Sequence, residues 1–592
     1  MGALIAIGIV AAAGVPLLLV LRSRIGAPAA IAVSAVAALG ILLGALLLTA
    51  ALSLPIVATL CIVVGAIAVV GVWLSVTTHL RVTRLRLSVW LPVVIGPLLW
   101  ICVLLLAQLL PGASRRSWAM QGDSANNILF AREVIANNGV VVGASENPVP
   151  MPAALLAAAI DIGRSEVPTS ALLDHDLAAF TVLWGMLIAM SGVMAAVLAG
   201  SLARSVGAAP AVVAISTALG SLVPFSWFVT GYATEFGFFN THIALIVMAA
   251  TVIVFLESSR QPSAALAVLT VAGTILLATW SPLVLVPGIL GLVLLIRSWR
   301  DVLATPRHAA VVAVGIVQIG AYGVTAVLPG LVANGEALSA QGGVIAFSKV
   351  MLPALGATAI GFVAVASLPW ARSTLRSVTV SAVVAVVVAV ALGLSVLVVT
   401  AGGEWTYYPL KFAWLASALL VVVIVGLFIP AASALFAHPR AVAVIAIIAT
   451  AGVLVFTQLS PTIASGERRQ HPFARILEGN VASAHGGDAV ANRIIELADT
   501  AVPRVLWKSG EQSEADINFW LVQMQVEDIS EEFDLRLAAY EIGSQTETAE
   551  LCSTLNLLGP NAVVLTRVET LEVDLAEDCP TSTATVEQLP PG

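Results

Sequence analysis

Residues 3–21 read ALIAIGIVAAAGVPLLLVL, and Arg22 and Arg24 follow at once. A helix needs about 20 apolar residues to cross a hydrocarbon core, and this run has that length with no charge in it. No basic segment precedes it. It therefore reads as a first span with its N-terminus outside, not as a cleaved signal peptide. Residues 27–52, APAAIAVSAVAALGILLGALLLTAAL, repeat the pattern. Later apolar runs are equally free of charge, which counts against a proton- or ion-driven pump, since such machines carry ionisable groups at membrane depth. The chain has 592 residues, 59% of them hydrophobic and 10% charged. A soluble domain is about 25% charged, so most of this chain belongs in lipid. The fold class expected is a polytopic α-helical membrane protein with a small C-terminal α/β domain.

Hydropathy places about fourteen spans. They fall at 3–21, 27–52, 55–75, 88–110, 177–200, 209–229, 241–256, 263–279, 282–296, 309–328, 350–370, 378–400, 411–431 and 441–458. Trp280-Ser281-Pro282 divides the run 263–296 as a tight turn. The arginines test this order. Arg22/Arg24, Arg81/Arg84/Arg86, Arg204, Arg260, Arg297/Arg300, Arg307, Arg372/Arg376 and Arg440 all fall on one side. By the positive-inside rule that side is the cytoplasm. Both the N-terminus and the tail are then extracytoplasmic, in the plasma membrane. Nearly every acid before the tail lies outside; Glu257 and Asp301 are the exceptions.

Three regions follow: 1–87 with the first spans, 88–458 as a core with a long outer loop at 111–176, and 459–592 as a polar, acidic domain. In that tail Val505, Leu535 and Ala562 begin short strand-like runs (505–508, 535–540, 562–566). Helices are expected at 515–526 and 547–558, so strand and helix alternate as in a small α/β sheet. Cys552 and Cys579 lie in this domain, where a disulfide is expected if it is extracytoplasmic. Cys61 and Cys102 sit in apolar runs as fillers. The tail's acidity argues against nucleic acid as a partner. A docking or stabilising domain and an acceptor-recognition module both fit it.

The long outer loop opens PGASRRSWAMQGDSANNILFAREVIANNG (111–139). Ile128, Leu129, Val134 and Ile135 recur at helical spacing, so an amphipathic helix on the membrane surface is expected. Asp123 precedes it. It suits an N-cap, accepting from free N–H groups of the first turn. It also suits a general base at the membrane boundary. A multi-span core, a long first major outer loop opening with Gly-Asp, and surface helices resemble the GT-C glycosyltransferases. That resemblance implies a polyprenyl-phosphate-linked sugar donor and Asp123 as catalytic base. ENPVPMPAALLAAAI (146–160) looks like the Pro-rich start of the second surface helix in bacterial members, with Ala153 or Ala154 where a His often stands. EWTYYPLKFAW (404–414) is similar to actinobacterial cell-envelope members. The resemblance covers roughly 88–430, and the spans ahead of the Gly-Asp loop depart from the common arrangement.

Other outer residues carry two readings each. Lys411, with Tyr407, Tyr408 and Trp405, is either an interfacial anchor or a clamp for the donor phosphate. Arg115 and Arg116 either join that clamp or contact headgroups. GYATEFGFFNTH (231–242) places Glu235, Asn240 and His242 among aromatics, which suits a sugar surface or a membrane interface; Glu404 belongs with these candidate acceptor residues. Asp174-His175-Asp176 reads as a solvated N-terminal turn before it reads as a metal cluster. Lys349 reads as an anchor. No Walker A loop, H-E-x-x-H, C-x-x-C or dinucleotide fingerprint is present. The leading expectation is an inverting glycosyltransferase that moves a sugar from polyprenyl phosphate to an envelope glycan or protein acceptor. No cofactor is required by it, and a divalent cation is left open. A lipid-linked oligosaccharide flippase, and a non-catalytic envelope assembly or sensor protein, are the alternatives.

Overall fold

The computed structural model describes residues 2–77, 87–109, 115–143, 147–333, 349–367, 374–435, 487–498, 502–511, 513–526 and 532–590. In lipid every backbone N–H and C=O must be satisfied within the protein, which leaves the helix as the form for these apolar runs. Among the described residues nine helical segments are long and apolar enough to cross a membrane. The chain is a membrane protein on that ground. The helices are α1 Gly2–Ile25, α2 Ala27–Leu52, α3 Ile56–Thr77, α4 Leu87–Ala107, α5 Ser124–Ala136, α6 Met151–Ile160, α7 Leu172–Ser205 and α8 Pro210–Leu222. There follow α9 Tyr232–Glu235, α10 Asn240–Leu256, α11 Pro262–Trp280, α12 Leu285–Leu303, α13 Pro306–Tyr322, α14 Leu328–Ala333, α15 Met351–Ala366, α16 Thr374–Thr400 and α17 Tyr407–Leu435. Two of the expected spans, 241–256 and 350–370, are the shorter apolar helices α10 and α15. The expected span at 441–458 lies outside the described residues. The described helices therefore do not amount to a count of fourteen.

Prolines set the local boundaries. α8, α11 and α13 each begin on a Pro, whose missing N–H has no partner in a first turn anyway. Pro282 lies in the 3-10 turn Ser281–Val284 that separates α11 from α12. Pro224 ends the expected span 209–229 early: α8 stops at Leu222, and a π turn at Trp227–Gly231 leads into the four-residue α9. Ser226 steadies that break by accepting from Val229 N–H at 3.3 Å, and Thr230 donates its hydroxyl to Pro224 C=O.

α7 runs through the middle of the body, packed against α4, α8, α10 and α17. Small residues permit this. A Cβ on Gly426 of α17 would stand 2.8 Å from Ala199 Cα of α7, an approach that van der Waals-driven packing in membranes uses. Near the other end of α7 the packing is aromatic. Trp118, in the 3-10 turn Ser117–Ala119, meets Trp100 edge-on at 6.0 Å and Trp184 at 5.9 Å. Trp118 is fully buried, so the start of the long loop is pinned into the bundle.

The C-terminal domain adds α18 Gly487–Ala498, β1 Arg504–Trp507, α19 Glu514–Gln523, α20 Phe533–Glu541, α21 Thr548–Leu558, β2 Val563–Thr566, α22 Leu571–Asp578 and β3 Thr585–Gln588. The three strands are parallel in the order β1-β2-β3, with Arg504 opposite Val563 and Val563 opposite Thr585. Asn518 of α19 closes the outer edge of β1. Its amide accepts from Leu506 N–H at 2.7 Å and donates to Leu506 C=O at 2.8 Å, so the edge offers fewer free groups to another strand. Cys552 and Cys579 form a disulfide between α21 and the end of α22.

Two expectations are corrected. Residues 535–540 form helix α20, not a strand. The Leu-Arg-Leu alternation suggests period two, but the buried set Leu535, Ala538, Ala539 and Ile542 follows helical spacing. The third strand is instead Thr585–Gln588, a largely exposed edge. Helix α5 likewise does not present its apolar face to lipid. Ile128 packs into the main core, while Leu129 joins the C-terminal domain's core with Val522 and Leu555. Phe130 packs against that core, and the Arg536 guanidinium lies 5.0 Å over its ring.

Leu129 is thus a docking residue. Leu129→Ala is expected to weaken the seat of the C-terminal domain by about 2–5 kcal/mol, the usual cost of emptying a buried leucine site. Limited proteolysis should then cut the tail faster, and unchanged protection would disprove the role.

Candidate active site

Asp123 sits at a junction of two loops. Gly122, at φ +50°, lets the chain turn against the loop after α9, where Gly237 has φ +69°. A Cβ on Gly122 would come within 2.4 Å of the Phe236 backbone, and one on Gly237 within 2.4 Å of Ser124 N. Only glycine allows the two backbones to meet this closely. Asp123 N–H then donates to Phe236 C=O at 3.0 Å, and Asn127 Nδ2 donates to Gly237 C=O at 2.9 Å.

Asp123 occupies the N-cap position of α5, yet its side chain caps nothing. Its Oδ1 accepts instead from Asn126 Nδ2 at 3.3 Å. The same amide donates to the Tyr540 hydroxyl from the C-terminal domain. Burial pushes the Asp123 carboxyl above its ordinary value of 3.8, against the lowering effects of the Lys411 charge, the Asn126 hydrogen bond and Arg536. A carboxylate with raised basicity and no capping duty is the chemical profile of a general base.

Lys411 enters from α17. It is buried, with Nζ 2.8 Å from the Tyr407 hydroxyl and 3.7 Å above the centre of the Phe238 ring. It does not pair directly with Asp123, but its charge reaches that carboxylate. Tyr408 stacks on Trp280, with centroids 6.2 Å apart and planes within 6°. A snorkelling anchor would hold its ammonium in the headgroups; this one is enclosed by aromatic rings.

The remaining predicted residues divide. Arg116 is buried and ion-paired with Asp174, so it braces the loop start against α7. Arg115 Nε has no hydrogen-bond partner, which leaves Arg115 the better phosphate candidate of the two. Glu235 is buried in α9. Asn240 donates to Thr279 C=O at 3.4 Å. His242 is wholly buried in α10, with Nδ1 3.1 Å from Ser191 Oγ. That position takes His242 off the aromatic surface expected for sugar binding; from this stretch Phe236 and Gly237 meet the Asp123 loop through their backbones, and Phe238 lies against Lys411. Glu404 is exposed ahead of α17.

The Asp174–Asp176 segment is a solvated turn only in part: Asp174 and His175 are half-buried, and Asp176 is not solvated. Asp176 is fully buried and accepts from Arg132 Nε at 2.8 Å and Arg164 Nε at 3.3 Å, with His175 Nδ1 3.3 Å away. This cluster ties α5, the following loop and α7 together. Among the described residues no group of three or more His, Cys, Asp or Glu could hold a metal ion, so no site is assigned to a divalent cation. Sequence reasoning missed Asn126, Tyr540, Phe519 and Trp520. Asn126 lies 414 positions before Tyr540, and no local pattern marks the four.

A cavity of about 220 Å³ opens beside Asp123. Gln121 and Asp123 form one wall, and Asp516, Phe519, Trp520 and Tyr540 form the other. No protein-family model, curated protein or solved structure matches this chain.

Removing the hub of the ion cluster should loosen the loop that carries Asp123. Asp176→Ala leaves Arg132 and Arg164 without their shared partner, at a cost on the order of 3 kcal/mol. A lower melting midpoint in detergent checks this, and an unchanged midpoint would rule out a bracing role.

Proposed function

We propose that the protein is an inverting membrane glycosyltransferase using a polyprenyl-phosphate sugar as donor. The observation that carries this reading is the convergence of Asp123, with its raised basicity, and the enclosed Lys411–Tyr407 pair on one junction beside a cavity. The acceptor hydroxyl attacks the anomeric carbon and gives its proton to Asp123. The bond from that carbon to the phosphate oxygen breaks, and its electron pair leaves with the polyprenyl phosphate. Lys411, the Tyr407 hydroxyl and Arg115 neutralise the departing phosphate, as preorganised donors stabilise developing charge in a water-poor site. Tyr408 steadies the clamp by stacking.

The supporting frame is hydropathy, which gives about fourteen spans, together with the arginine pattern, which argues for the Asp123 junction lying outside. Nucleotide sugars are unavailable there, and this chemistry needs none. The partners are then the lipid-linked donor, an envelope glycan acceptor and the bilayer itself. A second cavity of about 560 Å³ between α2, α11 and α13, lined mainly by apolar residues such as Leu43, Leu47, Val271 and Ile275 with Thr274 and Gln318 among them, offers room for part of a lipid tail.

Transfer from radiolabelled polyprenyl-phosphate sugars in proteoliposomes tests the reading. Asp123→Asn should lower the rate by about 10²–10⁴-fold, the range for a lost general base, with folding intact. Full activity in that variant would remove Asp123 from the mechanism.

The pH profile carries a second test. Asp123 must be deprotonated to accept a proton, so the rate should rise with pH along an acid limb whose midpoint lies above 3.8. The Lys411 charge favours the ionised carboxylate and so lowers the pKa of Asp123. Lys411→Met should therefore move that midpoint upward as well as slow transfer; a downward shift would contradict the assigned coupling.

A further inference from the structure

The cavity beside Asp123 has walls from two separate parts of the chain. We propose that it is the acceptor subsite, and that it takes one neutral, hydroxyl-rich sugar ring between the bundle and the C-terminal domain. That the ring is an acceptor rests on the glycosyltransferase reading above; that it is a sugar rests on the cavity alone.

Size is the first ground. The cavity measures about 220 Å³. Pockets for drug-sized ligands begin at about 300 Å³, so a single ring is the scale of occupant. Hydrogen bonding is the second. Gln121 Oε1 and Asn126 Oδ1 are buried and have no partner. Gln121 lines the cavity, and Asn126 bridges two residues that do, Asp123 and Tyr540. Gln121 Oε1 is thus an unmatched acceptor on a residue that lines the cavity, and buried acceptors are costly to leave unmatched. The occupant must therefore bring donors, as sugar hydroxyls do.

The third ground is the aromatic wall. Tyr540 is 50% exposed although its hydroxyl is engaged by Asn126. Phe519 meets it edge-on at 5.0 Å. An open aromatic face beside unsatisfied polar acceptors matches a molecule with C–H faces and a rim of hydroxyls. Charge decides which sugars. Asp123 and Asp516 are the charged side chains that line the cavity; the Lys411 and Arg536 charges reach Asp123, but neither side chain lines the cavity. A uronate or phosphosugar would meet two carboxylates, so a neutral ring is selected. An acceptor hydroxyl in this cavity is also beside the carboxylate that would take its proton.

The test uses the full chain in nanodiscs with no donor present. The probes are the methyl glycosides of glucose, galactose, mannose and arabinofuranose, with methyl glucuronide for comparison, titrated by NMR. At least one neutral glycoside should bind, and the glucuronide should bind at least tenfold more weakly. Gln121→Leu and Tyr540→Ala should each weaken binding at least tenfold, and Tyr540→Phe should retain more of it because the ring remains. Melting midpoints control for folding; Gln121→Leu removes an unmatched acceptor together with a long hydrogen bond to Ser117 C=O at 3.4 Å, and its midpoint should stay close to that of the wild type. Absence of neutral-glycoside binding to the wild type, or wild-type affinity in both Gln121→Leu and Tyr540→Ala, would overturn the proposal. Transfer assays separate the two readings. Active transfer with unchanged acceptor KM in both variants would remove the subsite and keep the transferase. Residue-dependent glycoside binding, with no transfer by wild type from any polyprenyl-phosphate donor, would keep the sugar subsite and remove the transferase.

Discussion

One backbone hydrogen bond, from Asp123 N–H to Phe236 C=O, joins the two loops that build the site. It forms because Gly122 and Gly237 lie face to face with positive φ and no side chains between them. The first loop is held from behind by Trp118, which is wedged between Trp100 and Trp184. The second is delivered by the break after Pro224, where a continuing helix would have carried residues 231–237 elsewhere. Phe238, just beyond Gly237, then lies under Lys411. Through this contact the α17 ammonium and the loop carboxylate come to share one region.

The C-terminal domain is part of that region and not an appendage to it. Leu129 and Phe130 of α5 pack with its core. Asn126, one turn earlier, is shared between Asp123 and Tyr540. An amphipathic helix that could have rested on lipid is instead enclosed between two protein surfaces. Its burial accounts for the raised basicity of Asp123, because a charge surrounded by protein loses hydration. Seating the domain and tuning the carboxylate are therefore one physical event.

Legibility from sequence followed the range of the interaction. Apolar runs without charge announce their helices, since the hydrocarbon core imposes the same demand on each segment separately. Asp123 and Lys411 stood out because each is a charge at the edge of an apolar or amphipathic run. The Leu535–Tyr540 segment misled because two alternating residues imitate a strand, while four buried positions at helical spacing decide for α20. The Asp174–Asp176 turn misled differently. A carboxylate at a helix start is ordinarily solvated, and only the arrival of Arg132 and Arg164 makes burial of Asp176 tolerable.

By itself the sequence determined that the chain is a membrane protein, that its tail is a separate polar α/β unit, and that Asp123 and Lys411 are worth attention. These depend on local composition and on spacing within single elements. Tertiary structure alone decided that the Asp123 side chain makes no cap bond, that His242 lies in the core, and that Gln121, Asp123, Phe519 and Tyr540 line one cavity. The reason is physical. A cavity and an unmatched hydrogen-bond acceptor are properties of surfaces brought together, and residues 121 and 540 become neighbours only when α5 is packed between the bundle and the C-terminal domain.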